Sequence, residues 1–266
     1  MNKSERRGYV ETSGGLVHYR TQGSGAATVL LHQTSWSSAQ YRQIMPALVT
    51  AGLNPIALDT PGYGMSDTPR SPPTVTDYAQ LIGETIQGMG LRQVALVGHH
   101  TGAAIAAQLA ATQPSLVSRL VLHGAPLYTP EERVERTARP HFDQTPSPDG
   151  SHWNRRWEFI KKMGGDASVA SLNESMMHFF NTGEKEWYGH AAVWNFDLAE
   201  PLRKLTMPTL IVSNTGDAIH HFAARVLKLR PDFQYAEIAN GSHYILTDDA
   251  SAVVGAMLDF LTPPDS

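Results

Sequence analysis

The chain has 266 residues, a formal charge of −4, twelve histidines and no cysteine. That length fits one large α/β domain or two small ones, and it buries a core without covalent staples. The composition excludes disulfides, iron–sulfur clusters and cysteine nucleophiles, and no basic block points to nucleic acid or an anionic membrane.

The start of the chain is polar, and no apolar run approaches the ~20 residues that cross a bilayer. A cytoplasmic protein with no membrane partner is expected. Strands over 9–12 and 16–21 flank Ser13-Gly14-Gly15, which reads as a hairpin. Residues 28–31 form a continuously apolar strand, as suits one covered on both faces. A helix is expected over 39–49, a strand over 54–58 and a helix over 75–89. The apolar run 93–97 reads as a buried strand, the Ala-rich run 103–111 as a helix, and 119–122 as another strand. Strands alternating with helices predict a mostly parallel sheet covered on both faces.

The alternation then breaks. Residues 127–205 hold no strong strand but include Trp153, Trp157, Trp187 and Trp194, with helical patterns over 155–163 and 169–180. This segment reads as a helical insertion between a first core part, 1–126, and a second, 206–266. The second part resumes with a strand over 209–212, a helix over 221–229, a strand over 233–238 and a helix over 249–261.

Between the strand at 93–97 and the helix at 103–111 stands Gly98-His99-His100-Thr101-Gly102. Glycines bracket a central residue on a strand-to-helix turn, the layout of a nucleophile elbow, but His100 replaces the usual serine. Together with Leu30-Leu31-His32 and its polar loop, Asp59-Thr60-Pro61-Gly62-Tyr63-Gly64-Met65-Ser66, Asn214-Thr215-Gly216-Asp217 and Gly241-Ser242-His243, the chain resembles the α/β-hydrolase fold over nearly its whole length. The resemblance makes 127–205 the cap that shapes the pocket. It also makes His243 the general base, Asp217 the acid that orients it, and the backbone N–H groups of Thr34 and Thr101 an oxyanion hole. Gln33 stands where that loop usually has glycine and offers an amide to the pocket.

A histidine tolerates the positive φ of an elbow better than most residues. At a helix N-terminus the dipole disfavours a charged ring, so a neutral imidazole is expected at His100. Three roles remain for it: a hydrogen-bond donor to substrate, a covalent nucleophile, or a relic in a binding protein. The leading expectation is an enzyme without cofactor that hydrolyses an ester, lactone or related acyl bond of a small apolar or aromatic carbonyl compound. Lyase, decarboxylase or cyclase chemistry on the same His–Asp pair is the alternative, and a non-catalytic ligand-binding protein the third. A zinc site built on His32, His100 and His243 is disfavoured, since Asp217 behind His243 would be only its orienter. Trp36 and the insertion's tryptophans suggest an aromatic pocket wall, and Arg155 or Arg156 is a candidate for receiving a carboxylate.

Overall fold

A computed structural model describes residues 4–262. Eight strands form one sheet in the order β1-β2-β4-β3-β5-β6-β7-β8. The hairpin β1 (Arg6–Thr12) and β2 (Gly15–Thr21) is antiparallel and pairs antiparallel with β4 (Leu53–Leu58). The other strands run parallel: β3 (Ala26–Leu31), β5 (Val94–His99), β6 (Val117–His123), β7 (Thr209–Asn214) and β8 (Gln234–Ile238).

Side chains of successive strand residues point to opposite faces, and the core divides accordingly. Val29, Leu31, Ile56 and Leu58 pack with α2 (Val75–Gly88) and α3 (Thr101–Thr112) in one cluster. Leu30, Ala57, Ala95 and Val97 pack on the other face with α1 (Met45–Thr50) and α11 (Ala250–Leu261). The alanines of α3 allow it to lie close on the sheet. A Cβ at Gly102 would overlap the Leu31 carbonyl, and one at Gly98 the backbone of Gly102. These two glycines are required by contact between backbones.

The helix expected over 39–49 is two pieces, a 3₁₀ turn at Ser38–Tyr41 and α1. Pro46 explains the break: it occupies the first turn of α1 and donates no N–H to the turn before it. Between β6 and β7 the described elements are all helical: α4 (Pro130–Thr137), α5 (Ser151–Gly164), α6 (Val169–Thr182), a 3₁₀ turn, α7 (Tyr188–Trp194) and α8 (Ala199–Lys204). Tyr63 pins this layer to the core, donating to the Glu186 carbonyl at 2.9 Å and accepting from the Gly189 N–H at 2.7 Å. After β7 come α9 (Phe222–Leu229) and, beyond β8, the short α10 (Ile245–Asp248). No helix among the described residues is long and apolar enough to cross a membrane.

Strand order reverses about β3. β4 lies on one side of it and β5 on the other, with Leu31 in register with Gly98. The loops leaving the carboxyl ends of β3 and β5 therefore start side by side and turn to opposite sides of the sheet. That divergence opens the crevice where ligands bind in open α/β sheets.

Candidate active site

The elbow forms as its glycines require. His100 has φ 48° and ψ −109°, between the last residue of β5 and the first of α3. Its backbone N–H donates to the His123 carbonyl at 2.9 Å, which ties the turn to β6. Backbone strain of this kind persists only where the surroundings over-determine it.

Three residues from three loops meet there. His100 Nε2 lies 2.5 Å from Asp217 Oδ2, and His243 Nδ1 lies 3.3 Å from Asp217 Oδ1. The two rings are 5.0 Å apart, centroid to centroid. Burial alone would raise the carboxyl pKa, but the two histidines outweigh it and hold Asp217 well below the usual range. An ionised carboxylate only accepts, so both bonded nitrogens carry protons. In a neutral ring the lone pair is then on Nδ1 of His100 or on Nε2 of His243. Sequence reasoning paired Asp217 with His243 and left His100 to act alone, whereas the shorter contact is to His100.

Gly124 makes this contact possible. It follows β6 with φ +61°, and a Cβ there would fall on His100 Nε2 and within 3.3 Å of Asp217 Oδ2. Nothing in the local sequence marks it, because the need arises from two side chains distant in the chain. Asn214 is named in the acid-loop motif, but its bonding role is hidden from the sequence for the same reason. It accepts from His123 Nε2 at 2.8 Å and donates to the Gly241 and Ser242 carbonyls at 2.8 Å each, which fixes the loop before His243.

The oxyanion-loop candidates lie beside the elbow. Thr34 Oγ1 and Thr101 Oγ1 are 2.9 Å apart. Thr101 is the first residue of α3, where backbone N–H groups lack partners within the helix. Gln33 is buried with neither side-chain amide atom hydrogen-bonded. Gln40, which carried no signal in the sequence, braces the loop: its Oε1 accepts from the Gln33 N–H at 3.1 Å and its amide nitrogen meets His99 Nδ1 at 3.2 Å.

One expectation needs correction. Trp36 does not line an open wall; it is buried with Ile160, Leu172, Met176 and Tyr244, where the helical layer packs on the core. His32 cannot join His100 and His243 around a metal. Its Nδ1 donates to the Gln33 carbonyl at 2.8 Å and its Nε2 accepts from the Thr60 N–H at 3.0 Å. Among the described residues, the group able to bring metal-ligand atoms together is His99, His100 and Asp217, with those atoms within 4.8 Å of one another. Asp59 braces the turn that follows β4, accepting from His18 Nδ1 and the Met65 N–H at 2.8 Å each.

A model of the "Alpha/beta hydrolase family" matches residues 16–256. The chain belongs to the α/β-hydrolase family. It is 25% identical over 259 residues to 2-(acetamidomethylene)succinate hydrolase of Mesorhizobium japonicum, covering 92% of this chain and 91% of that protein. It is 26% identical to pyrrolizixenacetamide deacetylase of Xenorhabdus hominickii, covering 96% and 98%. The match to the rat bifunctional epoxide hydrolase 2 is more local, 33% identical over 135 residues, 48% of this chain and 24% of that protein. Among solved structures, the enol-lactonase of Burkholderia xenovorans superposes with a TM-score of 0.81 at 18% identity, covering 96% of this chain and 100% of that one. The two relatives matched along nearly their whole length are thus named a hydrolase and a deacetylase, and the α/β-hydrolase fold accounts for the order elbow, acid, histidine.

Beneath the α/β-hydrolase site lies a row of buried histidines. His99 stacks between His100 and His123, with centroids 4.2 and 4.5 Å away. Burial pushes His32 and His123 down to about 4 and His99 well below its ordinary value. Unfolded, the same rings titrate near ~6.5. Their contribution to stability is therefore complete above that pH and is lost as the pH falls from there toward 4. Three such rings give a slope of up to ~4 kcal/mol per pH unit. Denaturant titrations between pH 7 and pH 4.5 measure it, and a flat profile there contradicts three neutral buried rings.

Proposed function

We propose that this chain hydrolyses an ester, lactone or related acyl bond of a small carbonyl compound, with His100, Asp217 and His243 as the reacting group. The observation that carries this reading is the sharing of Asp217 between the two imidazoles. Because the carboxylate takes the proton on His100 Nε2, the nitrogen left to the substrate is a lone pair. A neutral His100 is then a nucleophile rather than a hydrogen-bond donor.

In this reading His100 Nδ1 attacks the carbonyl carbon while the Thr34 and Thr101 N–H groups receive the developing oxyanion. The alcohol or enol oxygen leaves as its anion and takes a proton from solvent water, and the positive charge on the acylated ring is balanced by Asp217. His243 Nε2 then takes a proton from a second water as that water's oxygen adds to the acyl carbon. The C–N bond breaks to release the acid and neutral His100, and His243 returns its proton to the hydroxide left in solvent. Asp217 thus serves both halves of the reaction, orienting one ring and compensating the other. The names of its relatives, a succinate-derivative hydrolase, a deacetylase and an enol-lactonase, are consistent with acyl chemistry.

Trapping tests the sequence of steps. His243→Ala, mixed with an activated aryl ester or enol lactone, should give a burst of leaving group and a mass increase of one acyl group on His100. Steady turnover by His100→Ala near the wild-type rate would exclude covalent attack and return His100 to a non-covalent role.

A further inference from the structure

An open cleft lies between α8, α9 and the segment that leads from β6 to α4. Leu127, Tyr128 and Leu229 give it apolar walls, and Arg203, Arg225 and Lys228 stand around them. Its volume of about 370 Å³ falls in the range of small-molecule sites. Helical spacing brings the cations together. Arg203 is in the last turn of α8, and Arg225 and Lys228 are three residues apart on α9, hence neighbours on its surface. The apolar side is firmly built: Leu127 is buried, and the Tyr128 ring meets Phe222 edge-on with centroids 4.9 Å apart. His100, Asp217 and His243 take no part in lining this cleft.

The charges around the cleft do not balance. Glu132 accepts from both Nη atoms of Arg225, at 2.6 and 2.8 Å. Glu200 is taken by Lys204 at 2.7 Å, and Asp232 by Arg230 at 2.7 Å. Arg225 is held further by the Leu127 carbonyl at 3.2 Å and by the Phe222 ring 4.7 Å from its Cζ. Among the described residues, neither Arg203 nor Lys228 forms an ion pair, and both are exposed. Two uncompensated positive charges therefore share one concavity, in a chain whose formal charge is −4. A cleft lined by one sign of charge with low-dielectric walls concentrates the opposite ion.

We propose that this cleft binds a small amphipathic anion, its carboxylate or phosphate head between Arg203 and Lys228 and its apolar body on Leu127, Tyr128 and Leu229. A neutral ligand of the same shape gains only the apolar contact, and a cationic one adds to the existing repulsion. Long methylene stems let both side chains lie along apolar surface while their charged ends stay in water. They reach a head group without disturbing the Arg225–Glu132 bridge, which keeps the wall in place. The site is independent of the acyl-hydrolase reading and makes no demand on His100.

Equilibrium binding to the intact protein tests this without any turnover. At low ionic strength, isothermal titration should show octanoate or octyl phosphate binding roughly ten-fold more tightly than 1-octanol, the scale two exposed ion pairs allow. Octylammonium should bind more weakly than 1-octanol, and the preference for the anion should shrink as salt is added. Arg203→Gln/Lys228→Gln should erase the preference, and Arg203→Lys/Lys228→Arg, which keeps both charges, should retain it. Both positions are exposed, so the variants keep the fold. A preference that survives the loss of both charges, or equal binding of the anions and 1-octanol, overturns the proposal. So does inorganic phosphate binding as tightly as octyl phosphate, since the apolar walls would then contribute nothing. Cosedimentation with phosphatidylglycerol vesicles when neither free anion binds would also overturn it, by making the patch a membrane contact.

Discussion

Asp217→Asn should lower turnover of any hydrolysed ester or lactone by about 10⁴-fold, the scale seen when a triad carboxylate becomes an amide. The residue is 6% exposed and bonds both rings, so the change acts twice. An amide presents one oxygen and one NH₂ group where the carboxylate presented two acceptors. One ring must then turn or change tautomer, and the charge that would balance an acylated or protonated imidazole is gone. Circular dichroism and thermal unfolding of the variant would establish that the fold persists, and steady-state kinetics would give the loss. A variant within ten-fold of wild type would show that the carboxylate is not part of the reacting group.

Gly124→Ala should be nearly as damaging, although it changes no chemical group. A methyl at this position meets the His100 ring, and φ +61° is unfavourable for alanine. The expected cost is about 1–3 kcal/mol of stability from the backbone, and roughly 10²-fold or more in turnover from displacement of His100. Gly52→Ala separates the two effects. Gly52 has a similar φ of +84° with nothing near the new Cβ, so it should lose stability and keep activity. If Gly124→Ala retained full activity, the close approach of His100 to Asp217 would not matter to the reaction.

These effects differ in how far they can be read from residues alone. The elbow, the acid loop and the histidine loop are local patterns of turn-forming residues on strand ends, so their order and fold follow from short stretches. Burial likewise follows from pattern: the continuous apolar run of β3 reads directly as a strand covered on both faces. Pairings between distant loops have no such local mark. Asp217 lies 26 residues from His243 and 117 from His100, and no spacing rule states which ring it approaches more closely. Trp36 carried the same residue-level signal as a pocket aromatic, but α5 and α6 cover it. Arg155 and Arg156 are adjacent and chemically identical, and only the rotation of α5 turns one to solvent and the other inward.

The sequence by itself thus determined the α/β-hydrolase architecture, the helical insertion and the candidate residues His100, Asp217 and His243, because turn chemistry and hydrophobic periodicity act over a few residues. Tertiary structure alone decided that one carboxylate holds the protons of both imidazoles, that Gly124 leaves room for it, and that Arg156 is enclosed with an unmet N–H group. Each of these depends on a distance between segments far apart in the chain, set by strand order and by how the helical layer packs on the sheet.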